Sequence, residues 1–198
     1  MMNILVATTN PGKIREISAL LAGLKVSILS PKEINIALDV EENGTSFADN
    51  AQIKARAWCE ASGMPALADD SGLCVDALDG RPGVRSARFA GQGASDEDNY
   101  RLLIEYMKGI KDRGARFVCA VALAFPEGDV VLAQGSCEGT ILEKPSGSGG
   151  FGYDPVFLDP ASGKSFAQLV PEEKNARSHR KKALALLKHK LLQGGYFR

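Results

Sequence analysis

Apolar positions fall into short runs whose spacing changes along the chain. Asn3 to Ala7 leans apolar and predicts a strand; a polar stretch follows, and then Ile14, Ile17, Leu20, Leu21 and Leu24 recur at helical spacing. Val26 to Leu29 predicts a second strand, and the chain to Val40 is weakly patterned. A helix with Phe47, Ala51, Ala55 and Trp58 on its stripe is expected after Thr45 or Ser46, either of which can cap it. Ala66 to Leu73 reads as a buried strand that stops at Ser71-Gly72 and leaves Asp69 and Asp70 at its tip. Ser95 and Asp98 have capping-box spacing and open a helix through Tyr100, Leu103, Ile104 and Met107. Arg116 to Phe125 and Asp129 to Glu138 form a hairpin about Pro126-Glu127-Gly128, with Gly139 to Leu142 continuing the sheet. Pro171 starts one last helix that runs to Gly194-Gly195.

Strand-helix alternation followed by a hairpin predicts an α/β fold with a mixed sheet. At 198 residues the chain is one domain, 1–198, or two lobes that share a sheet. The 24 Lys and Arg balance the 24 Asp and Glu, so no global field draws the molecule to nucleic acid or a membrane surface, and an anion must be held locally. No apolar run approaches the roughly 20 residues that span a bilayer, and the start of the chain lacks a basic segment before a long apolar one, so a cytoplasmic protein is expected. Cys59, Cys74, Cys119 and Cys137 are isolated in apolar settings, and His179 and His189 are the only histidines. Disulfides and a zinc site are therefore not expected; a bound metal should be hard and held by carboxylates, as Mg²⁺ is.

Four stretches carry candidate chemistry. Thr8-Thr9-Asn10-Pro11-Gly12-Lys13 joins a strand to a helix, where first-turn N–H groups and Lys13 suit a phosphate, or where the same residues serve only as caps. On a strand, Asp69 and Asp70 point to opposite faces; one of them, Asp70, is the principal candidate ligand, unless both only bond backbone in an Asx turn. A glutamate of Glu41-Glu42 could be a second ligand, and Lys54 or Arg56 could face phosphate. The glycine-rich segment from Pro145 to Pro155 sets Phe151 and Tyr153 where a base could stack. The arginines of 80–91 suit either anion contacts or a rigid surface loop, and Lys174, Ser178, His179 and Arg180 form either a polar cleft or a solvated basic face.

Together these stretches, with Glu41, Gly44 and Phe47, Pro82 to Phe89, Gly149 to Pro155, and Ser178-His179-Arg180, resemble the inosine/xanthosine triphosphate pyrophosphatase family, its bacterial branch most. Thr9 stands where bacterial relatives often carry glycine and Asn43 where they often carry threonine; neither removes a charge. The resemblance implies an elongated mixed sheet flanked by helices, two lobes with a nucleotide cleft, a homodimer and a Mg²⁺ requirement. The implied reaction hydrolyses non-standard purine triphosphates (ITP, dITP, XTP, dXTP) to the monophosphate and pyrophosphate. By motif position, Thr8, Thr9, Asn10, Pro11, Gly12 and Lys13 would bind the triphosphate, and Glu41 and Asp70 the metal. Glu41 is taken over Glu42 on the Glu-x-x-Gly spacing that ends at Gly44. Asp70 would accept the proton of the attacking water and Lys13 would offset leaving-group charge. Ser71, Phe151, Gly152, Tyr153, Asp154, Lys174, His179 and Arg180 would contact the nucleotide, the last three donors reading O6 of the purine.

Overall fold

The first strand, β1 (Met2–Val6), runs into a loop whose Asn10 side chain caps α1 (Pro11–Leu21). This computed structural model describes residues 2–196; the side chains of Pro11, Glu16 and Leu20 lie outside the described residues. α1 stops at Leu21, short of the expected Leu24, because Gly23 turns the chain at φ +87°. Leu24 still packs on the core, half-buried. β2 (Val26–Leu29) pairs parallel with β1. α2 (Phe47–Ser62) opens with a reciprocal Ser46–Asp49 capping box and closes on Gly63 in the left-handed region.

β3 (Ala66–Val75) corrects the sequence expectation: it does not end at Ser71-Gly72 but carries both aspartates in its interior. Each carboxylate finds partners remote in sequence, so neither needs the local Asx bonds that would have turned the chain. α3 (Asp96–Tyr106) has the expected capping box from Ser95. β4 (Gly114–Ala124) and β5 (Val130–Ile141) are sheet neighbours joined through the turn closed by Phe125 and Asp129. β6 (Phe157–Asp159) and β7 (Lys164–Ser165) complete a seven-stranded mixed sheet ordered β2-β1-β3-β4-β5-β6-β7, parallel at β2-β1-β3 and antiparallel at β5-β6-β7.

The expected single last helix is two: α4 (Pro171–Arg177) and α5 (His179–Gln193). Ser178, at ψ 133°, leaves the helical region between them. Among the described residues no helix is long and apolar enough to cross a membrane.

The chain divides into two units, each with its own core. The first comprises Met1–Asp70, Cys119–Gly135 and Arg180–Arg198, the second Ser71–Val118 and Ser136–His179. In the first, Ile4, Val6, Leu67, Val121 and Leu123 of the strands pack with Ile17 and Leu21 of α1 and Leu184, Leu187 and Leu191 of α5. In the second, Leu73, Val75, Phe117, Ile141 and Phe157 pack with Leu103, Met107 and Phe166. β3, β4 and β5 each pass from one unit to the other within their length.

Candidate active site

In the first unit the β1–α1 loop is organised by Asn10. Its Oδ1 accepts from the N–H groups of Gly12 at 2.8 Å and Lys13 at 3.3 Å, and its own N–H donates to Thr8 Oγ1 at 3.2 Å. Two first-turn donors are thus engaged by the Asn10 cap, which is one of the two roles the sequence left open for this loop. Pro11 occupies the start of the helix, its side chain outside the described residues. Lys13 Nζ lies 3.0 Å from both oxygens of Asp69, and Arg180 Nε lies 3.4 Å from Oδ2. Asp69 is buried. Burial alone would push its carboxyl up, but Lys13 and Arg180 outweigh that and hold it below the usual carboxylate range.

Asp70 projects to the other side of β3 and meets α2. Asn50 Nδ2 donates to its Oδ2 at 3.0 Å, and Lys54 Nζ stands 3.9 Å from Oδ1. Lys54 also contacts Glu42 at 3.2 Å, so Glu42 and not the exposed Glu41 is the carboxylate that shares a cation with Asp70. Arg56 turns elsewhere, to the carbonyl of Gly128. Thr8, Thr9, Lys13, Glu42, Lys54 and Asp69 line a cavity of about 970 Å³ with Trp58 in its wall.

In the second unit the loop before β6 folds around Asp154. This carboxylate is buried; it pairs with Lys174 Nζ and accepts from the Phe151 N–H at 2.8 Å. Gly150, at φ +76°, is required there, since a Cβ would come within 2.1 Å of Asp154 Oδ2. Burial pushes the Asp154 carboxyl up, against the pull of Lys174. Lys174 Nζ sits 4.3 Å from the centre of the Phe151 ring, which is 66% exposed. Gly152 N–H donates to Asp96 at 2.7 Å. Tyr153, expected to be able to stack on a base, is instead buried, with its hydroxyl donating to the Ser86 carbonyl at 2.8 Å. Its phenol is pushed far up by burial, so it braces the loop. His179 stacks on Phe117 at 5.2 Å, and Ser71 is half-buried in β3 next to Asp70. The arginines of 80–91 are exposed on a loop anchored by Ser86 and Asn99.

The model of the Ham1 family matches residues 4–190. The chain belongs to the Ham1 family. Among its relatives in this family are proteins named dITP/XTP pyrophosphatase: one from Geobacillus kaustophilus is 49% identical over 94% of this chain and 93% of its own, and one from Geobacter sulfurreducens is 48% identical over 96% and 97%. Solved Ham1 structures share the fold; that of the Coxiella burnetii protein superposes with a TM-score of 0.92 at 40% identity, covering 98% of this chain and 100% of that one.

Set in the Ham1 family, the expected site residues separate into groups. Lys13 and Arg180 gather on Asp69, Lys174 gathers with Phe151 and Asp154, and Arg180 belongs to a different unit from Lys174 and His179. Asp69, Glu42, Asn50 and Lys54 are the residues gathered at β3 that sequence reasoning left without a settled role. Asn50 had a signal: with Lys54 it stands at i and i+4 on one face of α2.

Proposed function

We propose that this Ham1-family chain hydrolyses non-standard purine nucleoside triphosphates (ITP, dITP, XTP, dXTP) to the monophosphate and pyrophosphate, clearing them before a polymerase incorporates them. The observation that carries the reading is the division of labour on β3, where Asp69 binds two cations and Asp70 faces a second carboxylate across a lysine.

A hard divalent cation fits that donor set. Asp70 and Glu42 already flank a positive charge, Lys54, and together with substrate phosphate they offer the oxygen ligands that Mg²⁺ takes. Among the described residues no three His, Cys, Asp or Glu side chains gather to hold a metal unaided, consistent with phosphate completing the shell. When bound, Mg²⁺ would neutralise phosphate charge and make water more acidic.

The chain's own residues supply the rest. Water attacks the α-phosphorus as its proton passes to Asp70; the bond from that phosphorus to the bridging oxygen breaks, and pyrophosphate leaves with the bond's electrons. Lys13 and Arg180, aligned by Asp69, meet the charge that grows on the leaving group. Arg180 is thereby assigned to the phosphates, not to the base. Base choice falls to Lys174: fixed by Asp154 over Phe151, it donates to O6 of hypoxanthine or xanthine, where adenine presents a donor of its own. A site built on such a bond can reject the wrong partner by about 10⁴-fold. A homodimer is part of the proposal and is checked by sedimentation.

The deciding experiment measures pyrophosphate release from ITP, dITP, XTP, GTP, ATP and dTTP, with Mg²⁺ and with chelator. Preference for ITP, dITP and XTP together with loss of turnover in chelator is expected; equal rates on ATP, or full turnover in chelator, would sink the reading.

A further inference from the structure

Asn50 is completely buried, at 0% exposure, near the start of α2, and neither the motifs nor the mechanism above gives it a task. Both ends of its amide are engaged. Oδ1 accepts from the Gly44 N–H at 2.8 Å, and Nδ2 donates to Asp70 Oδ2 at 3.0 Å. A backbone N–H can only donate, so it demands the amide oxygen and leaves the NH₂ for the carboxylate; reversing the amide would oppose donor to donor and acceptor to acceptor. The contact with the loop is close. A Cβ at Gly44 would lie 2.7 Å from Asn50 Oδ1 and 2.6 Å from Asp49 Cβ, so only glycine lets the backbone come this near. One turn along α2, Lys54 addresses the other Asp70 oxygen and reaches Glu42, two residues before Gly44.

We propose that Asn50 is a positioning residue for the hydrolytic carboxylate: it fixes the rotation of the Asp70 group, with Oδ2 taken by the amide and Oδ1 turned toward Lys54, and it locks that rotation to the loop that carries Glu42. The inference rests on the reading of Asp70 as proton acceptor and metal ligand. Without the amide the carboxylate loses the bond that holds Oδ2, and the loop loses its register with β3. Misplacement of a reacting group by about 1 Å costs on the order of 10²-fold in rate.

Three full-length variants test this. Asn50→Asp keeps an oxygen for the Gly44 N–H and replaces the donor to Asp70 by a second carboxylate; Asn50→Leu is neutral, similar in size, and removes both contacts; Asp70→Asn is the control. The readouts are kcat and KM for ITP, and Mn²⁺ affinity by electron paramagnetic resonance with a non-hydrolysable, α–β methylene-bridged ITP analogue bound. Asn50→Asp should lower kcat about 10²-fold while KM stays within about threefold. Asn50→Leu should weaken Mn²⁺ binding by about tenfold, as loss of a group that orients a ligand does. A purely structural Asn50 would instead lower the denaturation midpoint in Asn50→Asp and leave kcat of the folded protein within about threefold of the parent. If Asp70→Asn is inactive but Asn50→Asp turns over within about threefold of the parent, or Asn50→Leu binds Mn²⁺ as tightly as the parent, the inference falls and the proposed function stands. If Asp70→Asn keeps full turnover, the proposed function falls and takes the inference with it. Should Asn50→Leu fail to fold, Asn50→Asp decides alone.

Discussion

Two neighbouring carboxylates on one strand have opposite surroundings, and their substitutions should part accordingly. Asp69→Asn leaves Lys13 and Arg180 without their shared counter-charge, and Arg180 is itself buried. Breaking a buried pair from one side costs roughly 3 kcal/mol, so this variant should unfold at markedly lower urea concentration. Asp70→Asn keeps an oxygen acceptor for Asn50 and removes a charge that otherwise stands near Glu42; it should fold normally and lose turnover at least 10²-fold by the loss of a general base. A denaturation midpoint for Asp69→Asn equal to the parent's would count against the electrostatic account of Asp69. That account was hard to read from sequence. Lys13 and Arg180 lie 56 and 111 positions from Asp69, and no local pattern announces pairings at such separation. The contact of Lys54 with Glu42 was likewise illegible, because an irregular loop has no period that tells one side chain from the next.

At the scale of elements, what depends on nearby residues was legible. The caps at Ser46 and Ser95, the hairpin about Pro126-Glu127-Gly128 and the strand at Val26–Leu29 each follow from a few adjacent positions. Where tertiary partners overrode local chemistry, the reading failed: β3 ran on through an apparent turn, and Ser178 cut the last helix in two. Tyr153 was misread for the same reason, since its hydroxyl is held by a carbonyl 67 residues away. Two tests belong here. Ser46→Ala removes half of a capping box and should cost about 1 kcal/mol in unfolding free energy, measured by denaturant titration. Gly150→Ala forces both a positive φ and a clash with Asp154. It should displace the loop that holds Lys174 and lower kcat/KM for ITP by at least about tenfold, as misplacement of a binding group does, with ATP hydrolysis changed far less. Equal losses on both nucleotides would argue that the loop does not read the base.

For the whole molecule, the two separate cores pose a question of cooperativity. β3, β4 and β5 belong to both units, so melting either core must break strands that the other uses. Leu123→Ala in the first core should cost about 2–5 kcal/mol and Phe157→Ala in the second about 3–5 kcal/mol. Each should shift one common transition; two resolved transitions would mean that the units melt independently. Charge balance at this scale offers no broad attraction for a polyanion, so the proposed substrate must be drawn by local cations such as the pair on Asp69.

Placing Asp70 inside a strand, with its helper on a helix, has a practical meaning for redesign. Loops tolerate exchange, whereas sheet interiors do not. On the proposed reading, retargeting the molecule to a different nucleobase would change Phe151 and Lys174, keep Gly150, Tyr153 and Asp154 that hold the loop, and leave β3 and α2 as they stand.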